Sequence, residues 1–255
     1  MNYFANPAAA ERYAKSRPYF HPLVVDRIKE RRGSYGRFMR ALDVGCGTGQ
    51  SAVAVAQIAD EVIGVDVSRA MLAQAPAHAR ITYVAAPAER LPFDDGGFDL
   101  MTAGLAFHWF KRDAALREAQ RLLCPGGWLV IYNDGFTGQM IGHEGYAAWN
   151  EEYRARYPTP PRNSAPLTDT AMEAFDFTRI VRDSFTHDIA FSAEQLTGYL
   201  MTQSNVIAAV ELGNESFQSV GDWLITSVRP FFGEEARNFR FFCEINIFMR
   251  SLAAS

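Results

Sequence analysis

Leu42-Asp43-Val44-Gly45-Cys46-Gly47-Thr48-Gly49-Gln50 is the stretch on which the reading of this chain turns. An apolar run ends in the acid Asp43 and meets glycines at 45, 47 and 49. Glycines at this spacing let the backbone turn sharply after a strand and let a ligand approach it closely. The alanine-rich stretch that follows reads as a helix, with its unpaired N–H groups and positive dipole end at the turn. A second apolar run, Val62 to Val65, ends in Asp66. Strand, turn, helix, strand and acid in this order place a carboxylate where a ribose diol is gripped in nucleotide-binding α/β folds.

Two kinds of nucleoside ligand suit this layout. A dinucleotide fold wants G-x-G-x-x-G. Here the third position of that pattern is Gln50, the glycine falls one residue early, and Asp43 precedes the turn. The run Leu42 to Gly49, with an acid ending the next strand, resembles the first motif of the class I S-adenosylmethionine-dependent methyltransferases. The resemblance implies S-adenosyl-L-methionine as cofactor, held by Asp43, Gly45, Cys46 and Gly47, by Asp66 with Val67 and Met71, by Ala88-Glu89 and by Gly104. His21, His78, His143 and His187 show no cluster spacing with acids or cysteines, so no metal site is expected.

The length of 255 residues suits one domain with insertions, and 48% hydrophobic content supplies a large core. A formal charge of -4 without a clustered Lys/Arg tract argues against a nucleic-acid partner. Cys46, Cys124 and Cys243 lack ligand spacing and read as buried residues of a reducing compartment. The N-terminus is polar where a signal peptide needs an apolar block, and no run reaches membrane-span length. The expectation is a cytoplasmic protein, monomer or homodimer, that acts on a small molecule away from membranes.

Along the chain, Met1 to Arg17 reads as a helix flecked with aromatics such as Phe4, and Pro22 to Arg32 as a second helix ended by Gly33. Tyr13 to Pro18 resembles the N-terminal lid of small-molecule methyltransferases, which implies that Tyr13 and Arg17 approach the methionine part of the cofactor. Packing on a sheet edge is the other role open to that helix. Strands are expected at 40–44, 61–65, 81–85, 98–103, 128–133, 179–191 and 239–249. Helices are expected at 50–59, 68–75, 111–123, 193–203 and 216–228. Ser68 and Ser192 are read as N-caps. Cys124-Pro125-Gly126-Gly127 is expected as a tight turn. Gly142 to Tyr157 reads as a cap helix, followed by an irregular Pro-rich excursion.

The fold expected from this order is a doubly wound, seven-stranded, mostly parallel α/β sheet, Rossmann-like, with a helical cap insertion. It is expected as a single methyltransferase domain over 1–255. Its parts are a lid (1–36), a cofactor half (37–133), a cap (134–178) and C-terminal strands and helices (179–255).

Ligands in open α/β sheets bind beyond the strand carboxyl ends, so Gly104 to Phe110 is where chemistry is expected. His108-Trp109 resembles a pair in trans-aconitate and juvenile hormone acid carboxyl methyltransferases of the type 11 group, and these two are the candidate catalytic residues. A neutral His accepts a proton from a hydroxyl or amine acceptor, or orients a carboxylate that needs no base. Packing at a strand end is the competing role for His108, as core packing is for Met71 and a solvated loop for Glu89. Gln203 and Ser204 are candidate substrate contacts or helix-capping residues. The activity implied is methyl transfer to a carboxyl or hydroxyl oxygen. A cofactor-binding protein without turnover and an NAD-dependent oxidoreductase are the rival readings.

Overall fold

The computed structural model describes residues 6–163 and 165–252. The chain forms two compact units. The larger comprises Tyr19–Asn133, Arg162–Ser184 and Glu244–Ser255, and the second Met1–Pro18, Asp134–Pro161 and Phe185–Cys243. The expected cap segment 134–178 is therefore divided between them.

One seven-stranded sheet runs in the order β3-β2-β1-β4-β5-β7-β6. In the larger unit β1 (Phe38–Val44), β2 (Ala59–Asp66), β3 (Ile81–Ala85) and β4 (Phe98–Gly104) pair in parallel, and β4 pairs in parallel with β5 (Leu123–Met140). The last residues of β1 and most of β4 are buried, as expected of parallel strands covered on both faces, and both read as apolar runs. β6 (Phe177–Phe191) and β7 (Arg237–Arg250) complete the sheet. The Rossmann-like, mostly parallel fold expected from the sequence is the one observed.

The larger unit also holds α2 (His21–Arg32), α3 (Gln50–Val55), α4 (Arg69–Leu72), α5 (Arg112–Leu122) and α7 (Asp169–Glu173). Its core joins Leu42, Val65, Phe98 and Leu116 to Met172 and Phe248. The second unit holds α1 (Pro7–Ser16), α6 (Tyr146–Arg156), α8 (Ala193–Leu200), α9 (Ser204–Glu211) and α10 (Phe217–Val228). Its core is aromatic, with Trp149 stacked on Tyr153 and Phe136 against Phe239 and Phe241. Among the described residues, no helix is long and apolar enough to cross a membrane.

Several boundaries differ from expectation for local reasons. The helix expected over 50–59 stops at Val55, because Ala59 already pairs with Phe38 in the sheet. The first helix starts at Pro7, where the Asn6 side chain accepts the Ala8 N–H at 2.9 Å. The earlier part of that expected helix, including Phe4, lies outside the described residues. Cys124 to Gly127 is an excursion inside β5, not a turn before it. Leu123 pairs with Phe98 and Trp128 with Leu100, so the residues between loop out, with Gly126 at φ +79°. Two helices were not expected. Thr168 caps α7 by accepting the Ala171 N–H. Gln203, in extended conformation, begins α9 where a helix end was expected.

Candidate active site

The larger unit assembles most of the candidate residues at the C-terminal ends of β1, β2 and β4. Past Val44, the N–H groups of Gly45 and Cys46 both donate to the Val65 carbonyl, at 2.7 and 3.0 Å. Gly45 has φ +72°, and a Cβ there would stand 2.4 Å from the Ala106 Cβ, so glycine is required on two counts. Gly47, at φ +54°, turns its N–H onto Asp66 Oδ2 at 2.9 Å. The other oxygen, Oδ1, accepts the Ser68 N–H at 2.8 Å. The acid therefore locks the glycine turn to the start of α4. Burial raises its pKa, and the backbone N–H groups of Ser68, Gly47 and Val67 oppose that rise.

Asp43 is placed differently. It is fully buried, with Oδ2 accepting from Ser51 Oγ at 2.5 Å and Oδ1 from Thr102 Oγ1 at 2.7 Å. Desolvation pushes its pKa up to about 6, against those two bonds. In this structure it ties β1 to α3 and β4. Cys46 is buried and its thiol pKa is raised by desolvation, so it is an unreactive packing residue.

Met71 is buried against the turn, its Cε 3.1 Å from where a Gly47 Cβ would stand. Val67, beside Asp66, is 61% exposed. Ala88 is buried in the core, and the Glu89 carboxylate accepts the Lys111 N–H at 2.8 Å. Gly104 has a packing reason to lack a side chain: a Cβ would lie 2.3 Å from Tyr132 Cζ. The Tyr132 hydroxyl bonds Nδ1 of buried His21 at 2.8 Å, and burial drops that imidazole's pKa to about 3. Leu105 follows at φ +57°, a left-handed conformation that costs a non-glycine residue on the order of 1–3 kcal/mol.

That reversal leads into a 3-10 turn, Phe107–Trp109, which presents His108 and Trp109 with ring centroids 4.9 Å apart. Trp109 is 38% exposed. The His108 pKa is lowered to about 4, first by burial and then by the charge of Arg162, with the Asn133 side chain opposing that fall. Its imidazole is therefore neutral near pH 7.

The remaining candidates belong to the second unit. There Arg17 donates to the Thr202 carbonyl at 2.9 Å and lies over the rings of Tyr13 and Tyr199 at 4.7 and 5.2 Å. Gln203 and Ser204 open α9 nearby in sequence. The same unit contains a pair not singled out from sequence, His187 Nε2 to Asp134 Oδ1 at 2.8 Å. Fifty-three residues separate these two, and no local motif links them.

An acid-ended strand beside a glycine turn, at the carboxyl ends of a parallel sheet, is an arrangement shared with nucleotide-binding α/β proteins. Residues 42–131 match the family model described as a methyltransferase domain. A Dictyostelium discoideum protein named as a methyltransferase is 25% identical over 209 residues, covering 79% of each chain. An O-methyltransferase of Aspergillus sclerotiorum is 28% identical over 194 residues, covering 71% of this chain and 70% of that one. Other methyltransferase relatives match over 52% to 59% of their length. The solved structure of a protein described as a type II methyltransferase, from Anaeromyxobacter dehalogenans, superposes with TM-score 0.66 at 25% identity, covering 92% of this chain and 96% of that one. The methyltransferase domain matched over 42–131 and these likenesses support reading the chain as a class I S-adenosylmethionine-dependent methyltransferase.

Proposed function

We propose that the chain binds S-adenosyl-L-methionine in the larger unit and transfers its methyl group to a carboxyl or hydroxyl oxygen of a small molecule. The observation that carries this reading is the Asp66 carboxylate, fixed by the Gly47 and Ser68 N–H groups at the end of β2. Each of its oxygens accepts one of these bonds and retains acceptor capacity, which suits the two hydroxyls of a ribose. The positive-φ glycines keep the adjoining backbone free of side chains, as a closely approaching ligand requires. Val67 and Met71 flank the acid for an adenine face, and Ala88-Glu89 supply acceptors for its amine.

The sulfonium supplies an electrophilic methyl group when the cofactor is bound. The protein's share is then alignment, worth on the order of 7–11 kcal/mol in ideal cases. A neutral His108 offers the acceptor one ring nitrogen that donates and one that accepts. Its low pKa makes it a poor proton acceptor and a good orienting group. Trp109 offers an aromatic wall. The preference for oxygen follows the His-Trp resemblance and the name of the Aspergillus relative. A small acceptor, no nucleic-acid partner, and a monomer or homodimer in the cytoplasm remain part of the proposal.

Calorimetry with S-adenosylmethionine and with NAD, followed by turnover of methyl-labelled cofactor over a metabolite panel, tests the reading. Tight NAD binding with none for the methyl donor would overturn it. Donor binding without label transfer would leave a binding protein instead of an enzyme.

A further inference from the structure

The stretch that leaves β3 carries the Ala88-Glu89 pair and is fastened to α5 at both ends, all within the larger unit. At one end Glu89 Oε1 accepts the N–H of Lys111, the residue before α5, at 2.8 Å. At the other end stand Glu118 and Arg121, near the end of that helix. Glu118 Oε2 accepts the Leu91 N–H at 2.7 Å. Arg121 donates from Nη2 to the Leu91 carbonyl at 2.9 Å, and from Nη1 to the Phe93 carbonyl at 2.7 Å and Asp95 Oδ1 at 2.8 Å. Its Nε and Nη2 also reach Glu118 Oε1 and Oε2, each at 2.9 Å. These bonds use all five N–H donors of the guanidinium. The Glu118 side chain is 16% exposed, so its bonds to Arg121 are shielded from solvent and hold its carboxyl below the usual pKa. The Gly96 N–H closes the stretch on the Arg121 carbonyl at 2.9 Å. Between these ties Ala88 and Leu91 are buried in the same core as Ala115, Leu116 and Ala119 of α5.

We propose that Glu118 and Arg121 are positioning residues for base recognition: by holding both the N–H and the carbonyl of Leu91, they fix the Ala88-Glu89 pair just upstream and so set a preference for an amino purine. This rests on the reading of the larger unit as the S-adenosylmethionine site, with that pair facing the base. Residues 86–97 form neither helix nor strand, so side chains of α5 supply the restraint that a sheet gives elsewhere. A guanidinium with every donor committed has none left for a ligand, so Arg121 acts through the stretch and not by contact. Among the described residues, Glu89 accepts a hydrogen bond on one oxygen only. The other can accept an exocyclic amine, and it repels the carbonyl oxygen that hypoxanthine carries in the same place. Hydrogen bonds weaken steeply with misalignment. A loosened pair therefore loses its discrimination between bases, while apolar contact with the ring persists.

The test uses the full chain and calorimetry with two nucleosides that differ only in the base, S-adenosylhomocysteine and S-inosylhomocysteine. The wild type is expected to bind the adenine compound about tenfold or more tightly. Arg121→Met keeps an apolar stem and removes the donors. It should bring the two compounds to within about threefold by weakening the adenine compound, with the inosine compound within about twofold of its wild-type affinity. A merely structural loss would weaken both alike and leave their ratio unchanged. Arg121→Lys should retain part of the preference, because it keeps the charge beside Glu118 without the fork that spans Leu91 and Phe93. Glu118→Gln must turn an NH2 group toward Leu91 or Arg121, so it should also lose part of the preference, and it decides the matter if Arg121→Met does not fold. An unchanged ratio in the folded variants, or equal affinity for the two compounds in the wild type, would overturn the proposal. Calorimetry with S-adenosylmethionine on the same samples separates the two readings. Donor binding with an unaltered base preference refutes this inference alone, whereas no donor binding in the wild type refutes the function beneath it.

Discussion

Gly104→Ala offers a quantitative test of how the end of β4 is built. The new methyl would stand 2.3 Å from Tyr132 Cζ and 2.4 Å from its hydroxyl oxygen. The backbone at Gly104 is not in the left-handed region, so alanine is allowed there in itself and the whole effect comes from Tyr132. Overpacking of this kind costs about 1–3 kcal/mol. Moving the ring also strains or breaks the 2.8 Å bond to His21, worth about 1 kcal/mol. The expected loss is about 2–4 kcal/mol, measured by urea denaturation with unchanged slope. Tyr132→Ala alone should cost about 3–5 kcal/mol, by analogy with other buried aromatic truncations. In that background the second change meets no ring, and its cost should fall to within about 0.5 kcal/mol of zero. A full-sized penalty for Gly104→Ala without the ring would refute the packing argument. The double variant also bears on the site. If it binds S-adenosylmethionine as Tyr132→Ala does, the missing side chain at 104 serves the tyrosine and not the ligand.

Three further outcomes are expected. Asp66→Ala should weaken S-adenosylmethionine binding about ten- to a hundredfold by calorimetry, since charge-assisted bonds to a ribose are lost; unchanged affinity would mean the acid grips something else. Asp43 has its folded pKa raised from 3.8 to about 6, so its ionisation opposes folding. That group's contribution is most favourable below the unfolded value and declines as pH rises through the folded one. The stability deficit of Asp43→Asn relative to wild type should therefore shrink by about 3 kcal/mol between pH 3.5 and pH 7, and a pH-independent deficit would contradict the burial argument. With His108 neutral above about pH 4, the rate ratio of wild type to His108→Gln should stay flat from about pH 5.5 to 8. An inflection near the ordinary histidine value in wild type alone would show a base at work.

The parallel half of the sheet was legible because its signals are local. Apolar runs ending in Asp43 and Asp66, glycines at the turn, and the Ser68 and Ser192 caps each sit within a few residues of the feature they create. What escaped depends on partners far away in sequence. The loop inside β5 is visible only once Trp128 is paired with Leu100. The ending of α3 at Val55 follows from the register of Ala59 with Phe38. The division of 134–178 between two units, the His21–Tyr132 bond and the tether of Arg112 to Ala165 all join separated segments. α7 is a different case, since Thr168-Asp169 before an apolar Met172 is a readable capping signal hidden by the surrounding prolines.

The enclosed acid at the end of β1 also bears on how the sheet reaches its order. Asp43 and Thr102 are register partners on adjacent strands as well as bonded side chains, and Ser51 reaches the same carboxylate from the helix between them. Sliding β4 by one residue would turn the threonine hydroxyl to the opposite face and strand a negative charge with half its ligation gone. An error so small in distance would be large in energy, several kcal/mol for an uncompensated interior charge. The three residues thus favour one alignment of β1 with β4 over its neighbours once that carboxylate is enclosed.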